Sequence, residues 1–171
     1  MLFGISPMGW VHTLGSLPAV PLAAYMFVRS GRIVPRSIPG AAYLVFMLIG
    51  AITIVFIAHE PISYVIAAGT LFLLFVGYGI AKVPQLGRAV RFIETISLTL
   101  TAFLLLVPSI KETLTRVPNG HPLVTDPKSP ILLGALGTVA VAVVVGIVAQ
   151  VIYLRKRPAP AAGSNVGEST L

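Results

Sequence analysis

PILLGALGTVAVAVVVGIVAQVIYL, residues 130–154, contains no charged side chain from end to end. About 20 mostly apolar residues are enough to cross the hydrocarbon core of a bilayer, so this stretch reads as a transmembrane helix. Helices in lipid associate through small residues that let backbones approach closely. Here Gly134, Thr138, Ala142, Gly146 and Gln150 recur at every fourth position. That spacing predicts a ridge packed against another helix, in this chain or in a partner, with Gln150 hydrogen-bonding at its inner end. Valines 139, 141, 143, 144 and 145 fill the other faces.

The rest of the chain has the same character. Of its 171 residues 56% are hydrophobic and 10% charged, and the mean hydropathy is +0.96. Soluble domains carry about 25% charged residues, so this chain cannot cover a water-facing surface in the ordinary way. The net charge of +7 does not point to nucleic acid, because the basic residues sit in short clusters beside apolar runs. That placement suits membrane topology and anionic headgroups. Cysteine is absent, which removes disulfides, thiolate metal sites and a cysteine nucleophile.

Four further runs qualify as spans, at about 9–28, 38–58, 62–81 and 89–108. Breakers separate them: Ser30-Gly31, Pro35 to Gly40, His59-Glu60-Pro61, Pro84 with Gly87, and Pro118-Asn119-Gly120. The fold class expected is an all-α integral membrane bundle of five helices over residues 1–157, with a disordered tail at 158–171. Pro61 suits the first turn of its helix. The short turn before it makes spans two and three antiparallel neighbours. The first run lacks a basic n-region, so it reads as a retained helix rather than a cleaved signal. Ser109 to Arg116 extends span four beyond the membrane, with Ile110 and Leu114 on one face, and the loop after it reads as irregular.

Of the 12 basic residues, Arg29, Arg32, Arg36, Lys82, Arg88, Arg91, Arg155, Lys156 and Arg157 fall on one side. Lys111, Arg116 and Lys128 fall on the other. The positive-inside rule then places the N-terminus outside and the C-terminus and its tail in the cytoplasm, in a bacterial inner membrane.

Span one carries a second small-residue ridge, Gly15, Ala19 and Ala23. Its Pro18 and Pro21 remove two backbone donors and leave the carbonyls of Leu14 and Leu17 in need of partners, so the helix is expected to bend and lean on protein. Span four is rich in hydroxyls, at Thr95, Ser97, Thr99 and Thr101. These bond their own helix's carbonyls on the simpler reading and line a polar passage on the sharper one. Glu94 follows Arg91 by three residues, a spacing that predicts an ion pair along the helix.

All three histidines fall toward the outer side. His12 lies one turn inside span one and shares a face with Met8, His59 ends span two, and His121 is in the outer loop. Imidazole with thioether suits copper, and two histidines on neighbouring helices suit a haem b iron. Met8, His12 and His59 are thus the candidate ligands, and an interfacial hydrogen bond is the competing role for each histidine. No phosphate loop, paired carboxylates or nucleophile with a base is present, so enzyme activity has no support in the sequence.

HTLGSLPAV, beginning at His12, resembles the first helix of a family of small bacterial multi-spanning membrane proteins of unassigned function. In that helix a histidine is followed three residues later by glycine and then by small residues. The family's second helix opens with histidine, arginine, two residues, glycine, an aromatic and methionine. Arg36, Gly40, Tyr43 and Met47 stand as counterparts, with Pro35 in place of the histidine and the spacing to glycine one longer. AAGTLFLLFVGYGIAK is similar to the third helix, and the likeness covers about the first half of the chain. It implies a helix bundle that has been compared with b-type cytochromes, although Pro35 removes one of the histidines such a haem site would use.

The function expected from these features is a small non-catalytic membrane protein, an accessory or scaffold subunit. It would contact the bilayer and either other membrane subunits or a second copy of itself, and no nucleic acid. The alternatives are a haem b or copper redox protein and a small-solute transporter running along span four.

Overall fold

The computed structural model describes residues 6–116, 123–126 and 128–156. His121 and the tail from residue 157 lie outside them, and so does the expectation of tail disorder. The chain is an all-helical membrane bundle with five segments long and apolar enough to span a bilayer. The elements are α1 (Pro7–Ser16), α2 (Ala19–Ser30), α3 (Ile38–Ile57), α4 (Pro61–Gly79), α5 (Ala89–Arg116) and α6 (Pro130–Lys156). Two single-turn 3₁₀ helices, Ile80–Lys82 and Pro84–Leu86, join α4 to α5.

The first span is two helices, α1 and α2, divided at Leu17 and Pro18. Pro18 lacks the N–H that would continue α1, and the chain recovers locally. Val20 N donates to the Leu17 carbonyl at 3.1 Å, closing a tighter turn across the break. Of the two carbonyls expected to need partners, that of Leu17 is therefore satisfied by its own backbone. Gly31 closes α2 in the left-handed region at φ 68°, with its N–H on Phe27 O at 2.9 Å. Ser37 caps α3, its Oγ accepting from Gly40 N at 3.0 Å. Pro61 opens α4, as its missing donor allows. The Tyr64 hydroxyl ties the preceding turn by donating to Ala58 O at 2.8 Å. α5 continues through Pro108 to Arg116, so the extension past the apolar run is helical. Leu114 O accepts from Val124 N at 3.1 Å, which holds the buried Val124 against the end of α5.

α3 packs on α1, α2 and α4, and α5 packs on α2, α4 and α6. The core is built from alanine, methionine and leucine around one tyrosine, with Ala19, Ala23 and Met26 of α2, Tyr43 and Met47 of α3, Leu74 of α4, and Leu98 and Ala102 of α5. Close approach is obtained with glycine. A Cβ on Gly50 would lie 2.8 Å from that of Ser16, and one on Gly77 would lie 2.5 Å from Leu98 Cδ2. Gly15 is closed over by Ile49 in the same way, so the ridge of Gly15, Ala19 and Ala23 is seated within the chain. Large apolar residues such as Phe72, Phe75 and Val141 face outward, the arrangement expected where the surrounding solvent is lipid.

Candidate functional site

The polar residues of α5 are turned inward. Glu94, Thr95, Ser97, Thr99 and Thr101 are all buried, facing the elements packed around α5: Glu94 the α2–α3 turn, Thr99 α6 and Thr101 α3. Glu94 accepts from two arginines of that turn. Arg32 Nη1 lies 2.9 Å from Oε1, and Arg36 Nη2 binds Oε2. The i, i+3 spacing suggested Arg91 as the partner, but the ion pairs of Glu94 run to Arg32 and Arg36. Arg91 is half-buried at the start of α5, and both carboxylate oxygens are taken instead by the arginines that the turn capped by Gly31 carries across.

Two further bonds fasten the same turn. Gln150 of α6 donates from Nε2 to the Gly31 carbonyl at 2.8 Å, while its Oε1 accepts from the Thr99 hydroxyl at 3.0 Å. The positive φ of Gly31 presents that carbonyl to α6. Tyr78 of α4 donates to Gly40 O at 2.6 Å. Thr101 gives its proton to Leu98 O at 2.7 Å, so the Tyr43 hydroxyl, 2.9 Å away, is the donor to Thr101 Oγ1. Thr101 thus takes the simpler role of bonding its own helix, whereas Thr99 takes neither expected role and reaches across to Gln150 of α6. Thr95 Oγ1 has no hydrogen-bond partner.

The cluster joins the C-terminal ends of α2, α4 and α6 to the N-terminal ends of α3 and α5. It thereby gathers Arg29, Arg32, Arg36, Lys82, Arg88, Arg91, Arg155 and Lys156 at one end of the bundle. Arg36, Gly40, Tyr43 and Met47, the four positions likened to a family motif, all take part in this core or in the ion triad.

The opposite end holds the candidate ligands. His12 is half-buried, with Nδ1 2.9 Å from Thr53 Oγ1. Thr53 already directs its hydroxyl proton to Ile49 O, so Nδ1 carries the hydrogen and donates, which leaves the lone pair of a neutral ring on Nε2. His59 is exposed in the turn after α3, and Met8 is 41% exposed one turn before His12. Among the described residues no group of three or more His, Asp or Glu side chains is gathered closely enough for a metal ion.

The ridge of α6 is divided. Gln150 is buried, while Gly134, Thr138 and Ala142 are exposed. A Cβ added at Gly134, Gly137 or Gly146 would meet nothing within 4 Å. Positions four apart on an α-helix advance by about 40° per step, so five of them wind about 160° around the axis. Gln150 therefore packs on α5 while Gly134, Thr138 and Ala142 stay open. Where α6 leaves α5, an open groove of about 490 Å³ is lined by Ser109, Thr113, Ala135 and Thr138 among others.

No protein-family model, curated protein or solved structure matches this chain.

Proposed function

We propose that this multi-pass membrane protein is a non-catalytic accessory or scaffold subunit of a bacterial inner-membrane complex, with its basic end in the cytoplasm. It joins its partner through the outward half of the α6 ridge. The observation that carries this reading is the contrast among glycines: Gly15, Gly50 and Gly77 are closed over by neighbouring side chains, and Gly134, Gly137 and Gly146 are open. Small residues cost a membrane helix packing surface unless something comes close to them.

The absence of cysteine makes the test clean. Ala142→Cys in native membranes should cross-link to a neighbouring protein or to a second copy, and Gly134→Leu should abolish that product without altering the fold. A monomer that never cross-links, with Gly134→Leu indistinguishable from the parent, would remove the proposal. A metal-binding alternative rests on Nε2 of His12, and a colourless, metal-free protein purified from its own host would eliminate it.

A further inference from the structure

The ion triad leaves positive charge over. One carboxylate faces two guanidiniums, and each contributes a single N–H to it, Arg32 to Oε1 and Arg36 to Oε2. A guanidinium carries five donors, so both retain N–H groups that Glu94 does not take. The two side chains differ in setting: Arg32 is 23% exposed and Arg36 60%. Among the described residues Glu94 is the one acid at this end, since Glu60, Glu112 and Asp126 belong to the other. Arg29, Lys82, Arg88 and Arg91 add to the unbalanced charge.

The level of this turn in the membrane is marked by its neighbours. Val28, just before it, is 90% exposed, and Ile38, just after it, is 89% exposed. Side chains so apolar and so open belong against lipid tails. The arginines between them therefore stand where tails give way to headgroups.

We infer that Arg32 and Arg36, held side by side by Glu94, form a seat for the phosphate of an anionic phospholipid. Planar guanidinium forks match phosphate oxygens, and basic clusters at helix ends are where such headgroups bind. Free phosphate offers the same oxygens, but the flanking Val28 and Ile38 favour a ligand that brings its own acyl chains. Glu94 is a positioning residue, keeping both guanidiniums on one side of the turn. This seat is independent of the α6 contact and would exist in a monomer.

The test uses the full chain in nanodiscs of phosphatidylcholine, with or without phosphatidylglycerol, read by native mass spectrometry and by the thermal midpoint. The parent should retain phosphatidylglycerol and gain stability from it. Arg36→Gln should weaken retention about tenfold, and Arg155→Gln, which removes one charge from the same end, should weaken it far less. Equal losses in the two variants would show diffuse attraction and overturn the seat. Inorganic phosphate added to phosphatidylcholine discs should leave the midpoint unchanged, and a rise matching that of phosphatidylglycerol would overturn the choice of a lipid. Arg36→Lys keeps a charge for Glu94 but lacks the fork, so its retention should fall between parent and Arg36→Gln. If Arg36→Gln does not fold, undiminished retention by Arg36→Lys would overturn the proposal.

Discussion

α5 and α6 are of similar length, 28 and 27 residues, yet they occupy opposite situations. Buried residues make up 39% of the apolar stretch of α5 and 6% of that of α6. α5 packs on α2, α4 and α6, reaches α3 through Thr101, and turns the polar groups of its first half inward. α6 is buried at Leu132 near one end and at Gln150 and Leu154 near the other, with nothing buried between. In water the more apolar of two helices would lie inside. In lipid the order reverses, because tails solvate valine as well as protein does and only polar or tightly approaching groups gain from a neighbour. The helix that looks most like a core element is thus the one least needed to close this core.

Substitution should expose that difference, and the largest effect belongs to α5. Glu94→Leu leaves Arg32, only 23% exposed, without its counter-ion. Breaking such a pair from one side costs about 3 kcal/mol, which should appear as a large fall in the midpoint of unfolding in mixed micelles. Arg32→Gln should be more damaging than Arg36→Gln, since the second side chain is 60% exposed and already meets solvent or headgroups. Equal effects from the two would mean that Glu94 relies on them alike.

Next come the glycines. Gly77→Leu drives a branched side chain into Leu98 and should cost about 2 kcal/mol. Gly134→Leu should stay within about 0.5 kcal/mol of the parent, measured on the isolated monomer. A destabilised Gly134→Leu monomer would show that α6 packs inside its own chain after all.

Gln150→Leu removes two bonds at once, to Thr99 and to Gly31 O, and should cost about 1 kcal/mol. It should also raise amide exchange at the α2–α3 turn, where α6 has its polar hold. The smallest effect expected is for Thr53→Val, about 0.6 kcal/mol. That variant takes away the acceptor of His12 Nδ1 and should shift the imidazole's tautomer balance in ¹⁵N spectra.

Much of this was legible from residue types. The five spans, the bend at Pro18, the opening of α4 at Pro61 and the continuation of α5 past Ser109 follow from hydrophobic run length and from what proline can and cannot donate. The partner of Glu94 was not legible. Arg91 is three residues away and Arg32 is sixty-two, and local spacing carries no information about which way a buried carboxylate turns. The division of the α6 ridge was hidden for a related reason: a string of small residues at every fourth position looks continuous on paper but winds around the helix.

The sequence by itself determined that this chain lives in a bilayer, how many times it can cross and which residues are small enough to permit close approach, because these depend on transfer free energy and backbone sterics. Tertiary structure alone decided which small residues are used, that Glu94 is shared by Arg32 and Arg36, and that Gln150 closes on Gly31. Those choices depend on how six helices orient about one another, which no single segment encodes.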